Sequence, residues 1–351
     1  MLSTLQEFFG CFVGANVYLT PPGSQGFAPH YDDIEAFVLQ LEGQKRWRLY
    51  DPRTPDEVLP RVSSQNFEQD ELGECILDVV LEPGDLLYFP RGVIHQAVTQ
   101  DENHSLHITV STYQKTTWVD LFEKMIPQTL AAAAEEDVEF RKGLPIGYLN
   151  HLGIGNQDRE SDQRMSFLKT VSKLFDKLKE TALVDASVDQ MAKDFLHDSL
   201  PPYVNDDHQR RSCRAAGEHW RADQGRVGGV VELDPETPVK ILTKKSLRIV
   251  MENEAVWVFY ASENLRTWRK RDPMCFEIPA DQAENVEALI HAYPEFVKID
   301  DLPAGTQEEK VSWRYGVGSI LATPGLLVIF TPSILFMSFV CSFVQSDQMT
   351  N

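Results

Sequence analysis

Alternation between polar and apolar residues is the feature that most constrains how the first third of this sequence can fold. Residues 107–113 alternate along their length, and successive side chains of a β-strand point to opposite faces. Ile108 and Val110 share the apolar face. The other face is polar and carries His107, Thr109, Ser111 and Tyr113. Residues 16–20 alternate in the same way, so these strands predict a barrel with a polar, ligand-holding interior.

A histidine and an aspartate two residues apart, His30 and Asp32, would share one face of a strand and can bind one ion. His95, after a turn at Arg91-Gly92, is the expected third ligand. Two histidines and one carboxylate form the facial arrangement that leaves open positions on Fe(II) in oxygenases. Short strands with Gly and Pro turns around such a metal describe a cupin-like jelly roll. A jelly roll holding another divalent metal for isomerase or hydrolase chemistry is the alternative.

One lysine lies where an apolar residue is expected. The return strand of a predicted hairpin, residues 45–50, places Lys45 on the same face as Trp47 and Leu49. Burying an ammonium group without a partner is costly. We therefore expect an anionic partner for Lys45 inside the barrel.

The overall charge narrows the choice of partners. The 351 residues carry a formal net charge of −20, which repels nucleic acid phosphates and attracts basic protein substrates. No direct nucleic-acid binding is therefore predicted. The five cysteines are scattered and form no paired-spacing motif, which argues against a cysteine zinc site and favours a reducing compartment.

The hydrophobic period lengthens after residue 118, where three amphipathic helices are predicted in a row. They cover residues 121–140, 167–178 and 184–200, and Pro201-Pro202 ends the last one. A polar linker follows, and then strand-like segments and a helix at 280–293 form a small α+β module compatible with a winged helix.

The predicted fold class is mixed β and α: a jelly roll (double-stranded β-helix), a helical domain and a small winged-helix-like domain. The predicted domains are the barrel at 1–118, the helices at 119–202, the linker and winged-helix-like domain at 203–316, and an atypical hydrophobic tail at 317–351. Within the tail, residues 326–344 carry no charge, which is near the length that spans a bilayer. Pro332 and the lack of a flanking basic cluster argue against membrane contact, and a replaced C-terminus is the other interpretation.

Four motifs resemble the JmjC ribosomal oxygenases: residues 14–22, 25–33, 39–43 and 83–92. The resemblance extends over roughly residues 8–315. It implies a JmjC barrel, Fe(II) and 2-oxoglutarate as cofactors, a helical domain that forms a homodimer, and a location in the nucleus and nucleolus. It also implies hydroxylation of a histidine in a ribosomal protein, and demethylation of histone H3 methyl-lysines is likewise attributed to the family.

The resemblance also implies roles for individual residues. His30, Asp32 and His95 match the iron ligands, and Lys45 matches the lysine that pairs with the distal carboxylate of 2-oxoglutarate. The other matches are Asn16 and Thr109, which line the co-substrate pocket, and Tyr18 and Ser111, which meet the target side chain. No catalytic residue is expected beyond the metal ligands.

The family's N-terminal region is longer than the one in this sequence and carries further barrel strands. The barrel is therefore expected to be N-terminally truncated relative to the family, and lost strands expose a sheet edge. The alternative function is accordingly a catalytically impaired isoform that serves as an interaction module in chromatin or ribosome assembly.

Overall fold

The computed structural model describes residues 1–205, 208, 219–221, 226–228, 235–262, 264–266, 272–305 and 328–330. By contacts, residues 1–115 and 193–351 form one unit and residues 116–192 form another. The predicted tail lies outside the described residues apart from 328–330. In the parts of the chain that the structure describes, no helix is both long and apolar enough to cross a membrane.

The N-terminal part of the first unit is a short helix followed by two antiparallel sheets. The elements are α1 (Leu2–Phe9), β1 (Gly14–Thr20), β2 (Glu35–Gly43), β3 (Lys45–Tyr50), β4 (Cys75–Leu81), β5 (Leu86–Phe89), β6 (Ile94–Thr99) and β7 (Ser105–Thr112). One sheet has the strand order β1-β7-β2-β5 and the other β4-β3-β6. Every neighbouring pair is antiparallel, as in the predicted jelly roll.

The turn between β2 and β3 carries the chain from one sheet to the other, and it requires glycine. Gly43 has a φ of 63°. A Cβ at this position would lie 1.7 Å from the carbonyl oxygen of His104, so no other residue fits. The register of β2 shifts between Gln40 and Glu42, just before the turn. The chain turns at Gly43 as predicted, but the predicted hairpin is wrong, because β2 pairs with β5 and β7 while β3 pairs with β4 and β6 in the other sheet. The new strand β3 starts at Lys45.

An apolar core lies between the two sheets. Its buried members come from β2, β3, β4 and β5: Ala36, Val38, Trp47, Leu49, Leu81, Leu87 and Phe89. Alternate residues of β2, β3 and β5 point inward, which is why one face of each of these strands is buried, whereas only Leu81 is buried on β4. Full burial of a Val, Leu or Phe side chain contributes about 1.5–3 kcal/mol, so this cluster carries much of the barrel's stability.

The second unit is helical. It contains α2 (Trp118–Glu136), α3 (Val138–Arg141), α4 (Asp162–Glu180) and most of α5 (Val184–Asp198). The expectation of one helix over residues 121–140 is wrong, because the helix is interrupted at Asp137. The Asp137 carboxylate accepts a hydrogen bond from the backbone N–H of Glu139 at 2.9 Å and so caps α3. The predicted helices at 167–178 and 184–200 are confirmed.

The C-terminal part of the first unit is the predicted α+β module. Its described elements are β8 (His219–Arg221), β9 (Arg226–Gly228), β10 (Pro238–Ile241), β11 (Leu247–Glu252), β12 (Ala255–Tyr260), β13 (Cys275–Ile278), α6 (Ala283–Ala292), β14 (Val297–Lys298) and β15 (Val328–Phe330). One core joins the strands to α6 through Val239, Val258 and Leu289. The Glu7 carboxylate of α1 accepts a hydrogen bond from the Thr243 hydroxyl at 2.5 Å, which links this module to the start of the chain.

Candidate metal centre

Three side chains with metal-binding atoms lie close together and line one cavity. One ligand atom each from His30, Asp32 and His95 lies within 4.8 Å of the others. His95 lies on β6, whereas His30 and Asp32 precede β2 and belong to no named strand, contrary to the expected strand. His30 instead forms an isolated antiparallel bridge with His95. The backbone N–H of His95 donates to the carbonyl of His30 at 2.8 Å, and the reverse bond measures 3.3 Å.

The turn before His95 is tied to the segment that carries Asp32. The backbone N–H of Gly92 donates to the carbonyl of Asp32 at 3.0 Å. Gly92 has a φ of 88°, and an added Cβ would lie 2.3 Å from the carbonyl oxygen of Glu57. Only glycine permits this close approach. The Arg91-Gly92 turn noted in the sequence therefore sets the position of the third candidate ligand, His95.

Hydrogen bonds fix which nitrogen of each histidine can bind a metal. Nδ1 of His30 lies 2.8 Å from the carbonyl oxygen of Ala28, and Nδ1 of His95 lies 3.1 Å from that of Val93. A carbonyl oxygen only accepts, so each Nδ1 is the donor and each Nε2 keeps its lone pair. Both Nε2 atoms lie 3.8 Å from a carboxylate oxygen of Asp32. This arrangement of ligands and outer hydrogen bonds is typical of histidine metal sites.

Burial keeps His95 in the form that binds metals. Its side chain is almost fully buried, and desolvation together with the nearby His30 lowers the pKa of His95 below its usual value, against the opposing effect of Asp32. The imidazole is therefore neutral near pH 7. A neutral imidazole offers the lone pair that coordination requires.

The three side chains open into a cavity of about 330 Å³. It is lined by Asn16, Tyr18, Phe27, His30, Asp32, Ile34, Ala36, Val38, Lys45, Trp47, Phe89, His95, Gln96, Ala97, His107, Thr109 and Ser111. All eight site residues that the sequence predicted are in this set. A cavity of this size holds a small ligand beside an ion.

Lys45 lies inside the barrel, as its strand position predicted. Only 5% of the residue is exposed, and Nζ donates a hydrogen bond to the hydroxyl of Thr20 at 3.0 Å. Burial lowers the pKa of Lys45 from 10.5 to about 8. No carboxylate among the described residues contributes to that pKa, so the expected anionic partner is not one of these side chains. The ammonium group is thus available to an anionic ligand.

The four remaining predicted residues lie on the neighbouring strands β1 and β7. Asn16 is opposite Thr109 in the register, and Tyr18 is opposite His107. The rings of Tyr18 and His107 stack at 4.9 Å. The alternation of both strands therefore brings Asn16, Tyr18, Thr109 and Ser111 to one wall of the cavity, as expected from the sequence.

Other lining residues were not assigned to the site from the sequence. Trp47 was expected to be a core residue; it is buried, but it also lines the cavity and stacks on His95 at 6.2 Å. His107 was not predicted to be a ligand, although its polar strand face was the available signal. Thr20, the partner of Lys45, shares its strand face with Asn16 and Tyr18, so alternation could have found it.

The fold and this site define a JmjC-domain protein: residues 1–121 match the JmjC domain family, and residues 200–328 match the C-terminal winged helix domain of ribosomal oxygenase 1. The cupin-like fold class and the winged helix predicted from the sequence are thereby confirmed. Within that class, the chain is similar to the ribosomal oxygenases.

Similar proteins come from several animals. The chain is 48% identical to ribosomal oxygenase 1 of Danio rerio, over 95% of this chain and 60% of that protein. It is 48% identical to ribosomal oxygenase 1 of Homo sapiens, over 95% and 51%. It is 45% identical to the bifunctional lysine-specific demethylase and histidyl-hydroxylase NO66 of Branchiostoma floridae, over 95% and 50%. The chain thus spans about half the length of these relatives.

A solved structure is also similar. It is that of YcfD, a ribosomal oxygenase from Escherichia coli, in complex with cobalt and 2-oxoglutarate. The sequence identity is 16% and the TM-score is 0.37, with 88% of this chain and 70% of that chain covered.

Proposed function

We propose that this chain is an Fe(II)- and 2-oxoglutarate-dependent protein dioxygenase that hydroxylates a histidine of a ribosomal protein. The observation that carries the proposal is the pairing of two features in one cavity. His30, Asp32 and His95 converge at 4.8 Å or less, and the buried Lys45 ammonium has no anionic partner among the described residues.

The ligand set fits Fe(II). Two imidazole nitrogens and one carboxylate leave open positions for a chelating co-substrate and dioxygen. When bound, the iron would supply the oxygen activation that no side chain can provide. The contribution of the chain is to hold His30 and His95 as Nε2 ligands through their Nδ1 hydrogen bonds, and to place Asp32 between them.

The other end of the cavity fits a dicarboxylate. Lys45 would pair with the distal carboxylate of 2-oxoglutarate, with Thr20 holding the ammonium in position. Asn16 and Thr109 would line the co-substrate, while Tyr18 and Ser111 would meet the target side chain. These roles follow the family resemblance, and the lining of the cavity supports them.

We also propose a second activity at the same centre, the demethylation of histone H3 methyl-lysines. Two observations support it: the name of the Branchiostoma floridae relative includes both activities, and both reactions oxidise a C–H bond presented to the same centre. The two differ only in which carbon of the target reaches the metal. The net charge of −20 suits a basic substrate of either kind, and we propose no direct contact with nucleic acid.

We further propose that residues 1–118 form the catalytic barrel, residues 119–202 a dimerisation domain, and residues 203–316 the linker and winged-helix region. An exposed apolar row on α2 supports a homodimer, since its members recur at helical spacing: Val119, Phe122, Ile126 and Leu130. Nuclear and nucleolar localisation is proposed from the family resemblance. Sedimentation of the full chain tests the dimer, and fluorescence microscopy of a tagged chain tests the location.

The decisive test measures succinate released from 2-oxoglutarate with iron and ribosomal protein present. We expect release that depends on the protein substrate, and mass spectrometry should find one added oxygen on a histidine. No release with iron bound at full occupancy would contradict the proposal and favour the non-catalytic interaction module. Retained activity in a His30→Ala variant would exclude every function that depends on this metal centre.

A further inference from the structure

An aromatic ring at the mouth of the cavity has no role in the site described so far. Phe27 lines the cavity, yet 60% of the residue is exposed. Its ring lies 6.0 Å from that of Tyr18 at an interplanar angle of 86°, and 6.0 Å from that of His30. An exposed phenyl ring therefore lies beside a candidate metal ligand on the wall of the cavity.

The loop that carries Phe27 is held in place by hydrogen bonds to β6 and within itself. The hydroxyl of Thr99 donates to the carbonyl of Pro21 at 2.6 Å and accepts from the backbone N–H of Ser24 at 2.9 Å. The side-chain amide of Gln25 donates to the carbonyl of Phe27 itself at 2.8 Å. The backbone at Phe27 is thus preorganised, which lowers the entropy lost when a ligand binds against this loop.

Tyr18 and Phe27 together form a corner of two perpendicular rings. One face of Tyr18 is covered by His107, which stacks on it at an interplanar angle of 15°. A flat ring entering the corner can lie parallel to one aromatic ring and meet the other edge-on, and both geometries are favourable for aromatic pairs.

Polar groups beside the corner restrict the class of ring further. Asn16 and Ser111 line the same cavity and offer hydrogen-bond donors and acceptors. An imidazole has two ring nitrogens that can form hydrogen bonds with these groups, whereas a trimethylated or aliphatic side chain has none. We propose that Phe27 is a specificity-determining residue that selects a histidine side chain by packing against its imidazole. This inference rests on the proposed histidine hydroxylation.

The test compares how the full chain retains three pools of basic peptides with randomised flanks. The pools are alike except at one central position, which holds histidine, dimethyl-lysine or alanine. Retention on each pool is measured for the wild type, for Phe27→Leu and for Phe27→Tyr. Phe8→Leu is the matched control, because Phe8 is 76% exposed on α1 and does not line the cavity.

We expect the wild type to prefer the histidine pool to the alanine pool. Phe27→Leu should lower that preference by about two- to tenfold, the range of one aromatic pair, while Phe27→Tyr and Phe8→Leu keep it. An unchanged preference in Phe27→Leu would overturn the inference. So would an equal or larger loss on the dimethyl-lysine pool, or a wild type that does not distinguish histidine from alanine. Succinate release by the wild type is measured separately, so failure of the proposed function is read from a different assay.

Discussion

At the β1 edge of the sheet β1-β7-β2-β5, the inner face lines the cavity with polar side chains and the outer face exposes apolar ones. On the inner face, Tyr18 and Thr109 line the cavity. On the outer face of β1, Val17 is 65% and Leu19 is 69% exposed. The outer apolar row continues across the sheet, because Val17 is opposite Ile108, Ile108 is opposite Leu39, and Leu39 is opposite Leu86.

A polar inner face and an apolar outer face distinguish residues suited to ligand binding from residues suited to association with another polypeptide. Polar groups in an interior cost stability unless they are paired, so an inner wall made of them indicates ligand binding. Exposed apolar rows are typical of surfaces that contact another polypeptide. The inner face should therefore respond to mutation through binding, and the outer face should tolerate substitution in the isolated chain. The predictions below test that difference, beginning with the largest expected effect.

Loss of a metal ligand on the inner side should have the largest effect. His30→Ala removes one of three ligand atoms, and we expect metal affinity to fall by more than about a hundredfold, since loss of an outer-shell partner alone costs up to that much. Titration calorimetry with Fe(II) under anaerobic conditions measures the affinity. The control is His104→Ala, a half-exposed histidine near Glu42. Equal affinity in both variants would contradict the metal assignment.

Two adjacent leucines on β5 allow a direct comparison of the inner and outer faces of the sheet. Leu87 is 8% exposed in the core and Leu86 is 61% exposed on the outer face. Leu87→Ala leaves a cavity and should lower the free energy of unfolding by about 2–5 kcal/mol, whereas Leu86→Ala should change it by less than about 0.5 kcal/mol. Urea denaturation of the two variants measures the difference. Equal losses would show that the outer face is also packed.

Removal of the inner ammonium should act on ligand binding without loss of stability. Lys45→Met should weaken 2-oxoglutarate binding by about a hundredfold, because a buried charge pair is lost, while the hydrophobic side chain suits the buried position. Calorimetry with 2-oxoglutarate measures the effect, and Lys142→Met, whose side chain is 61% exposed, is the control. Wild-type affinity in Lys45→Met would show that the dicarboxylate binds elsewhere.

The pH dependence of ligand binding should show the smallest of these effects. The pKa of Lys45 is about 8 because the group is buried, so the ammonium loses its proton as the pH rises through that value. The dissociation constant for 2-oxoglutarate should rise by about tenfold between pH 7 and pH 9. Lys45→Arg keeps its charge over that range and should bind with a flat pH profile. A similar slope in both proteins would assign the titration to another group.

The lowered pKa of Lys45 also affects stability. Ligand binding weakens as the pH rises, whereas the contribution of Lys45 to stability grows. The pKa of Lys45 is 10.5 in the unfolded chain and about 8 in the folded one, so the unfolded chain binds more protons between these values. The contribution of Lys45 to the free energy of unfolding therefore increases as the pH rises from 8 to 10.5.

Much of the site could be predicted because it lies on regular strands. Alternation is a strict geometric rule, so residues 107–113 and 16–20 revealed which side chains share a face. It also identified Lys45 as an inward lysine. The rule does not extend to loops, and Phe27 therefore gave no signal of its place at the cavity mouth. Trp47 could not be distinguished from a core residue, because an inward aromatic side chain can serve either purpose.

The break at Asp137 shows a second limit of sequence reasoning. Apolar periodicity continues from α2 into α3, so it predicted one helix over residues 121–140. The break depends instead on one local hydrogen bond, in which the Asp137 side chain caps the new helix. Competition between a side-chain cap and the next helical turn is decided by small energies that the hydrophobic pattern does not contain.

The reciprocal backbone hydrogen bonds between His30 and His95 have a consequence for how the site chooses its ion. Because the backbones of these two candidate ligands are joined by hydrogen bonds of 2.8 Å and 3.3 Å, folding itself sets their separation, and little ordering remains for an incoming ion to impose. Such a frame resists stretching, so a cation whose preferred bond lengths differ must distort the protein or bind poorly. Among transition metals of similar size, intrinsic affinity and cellular supply then decide the occupant.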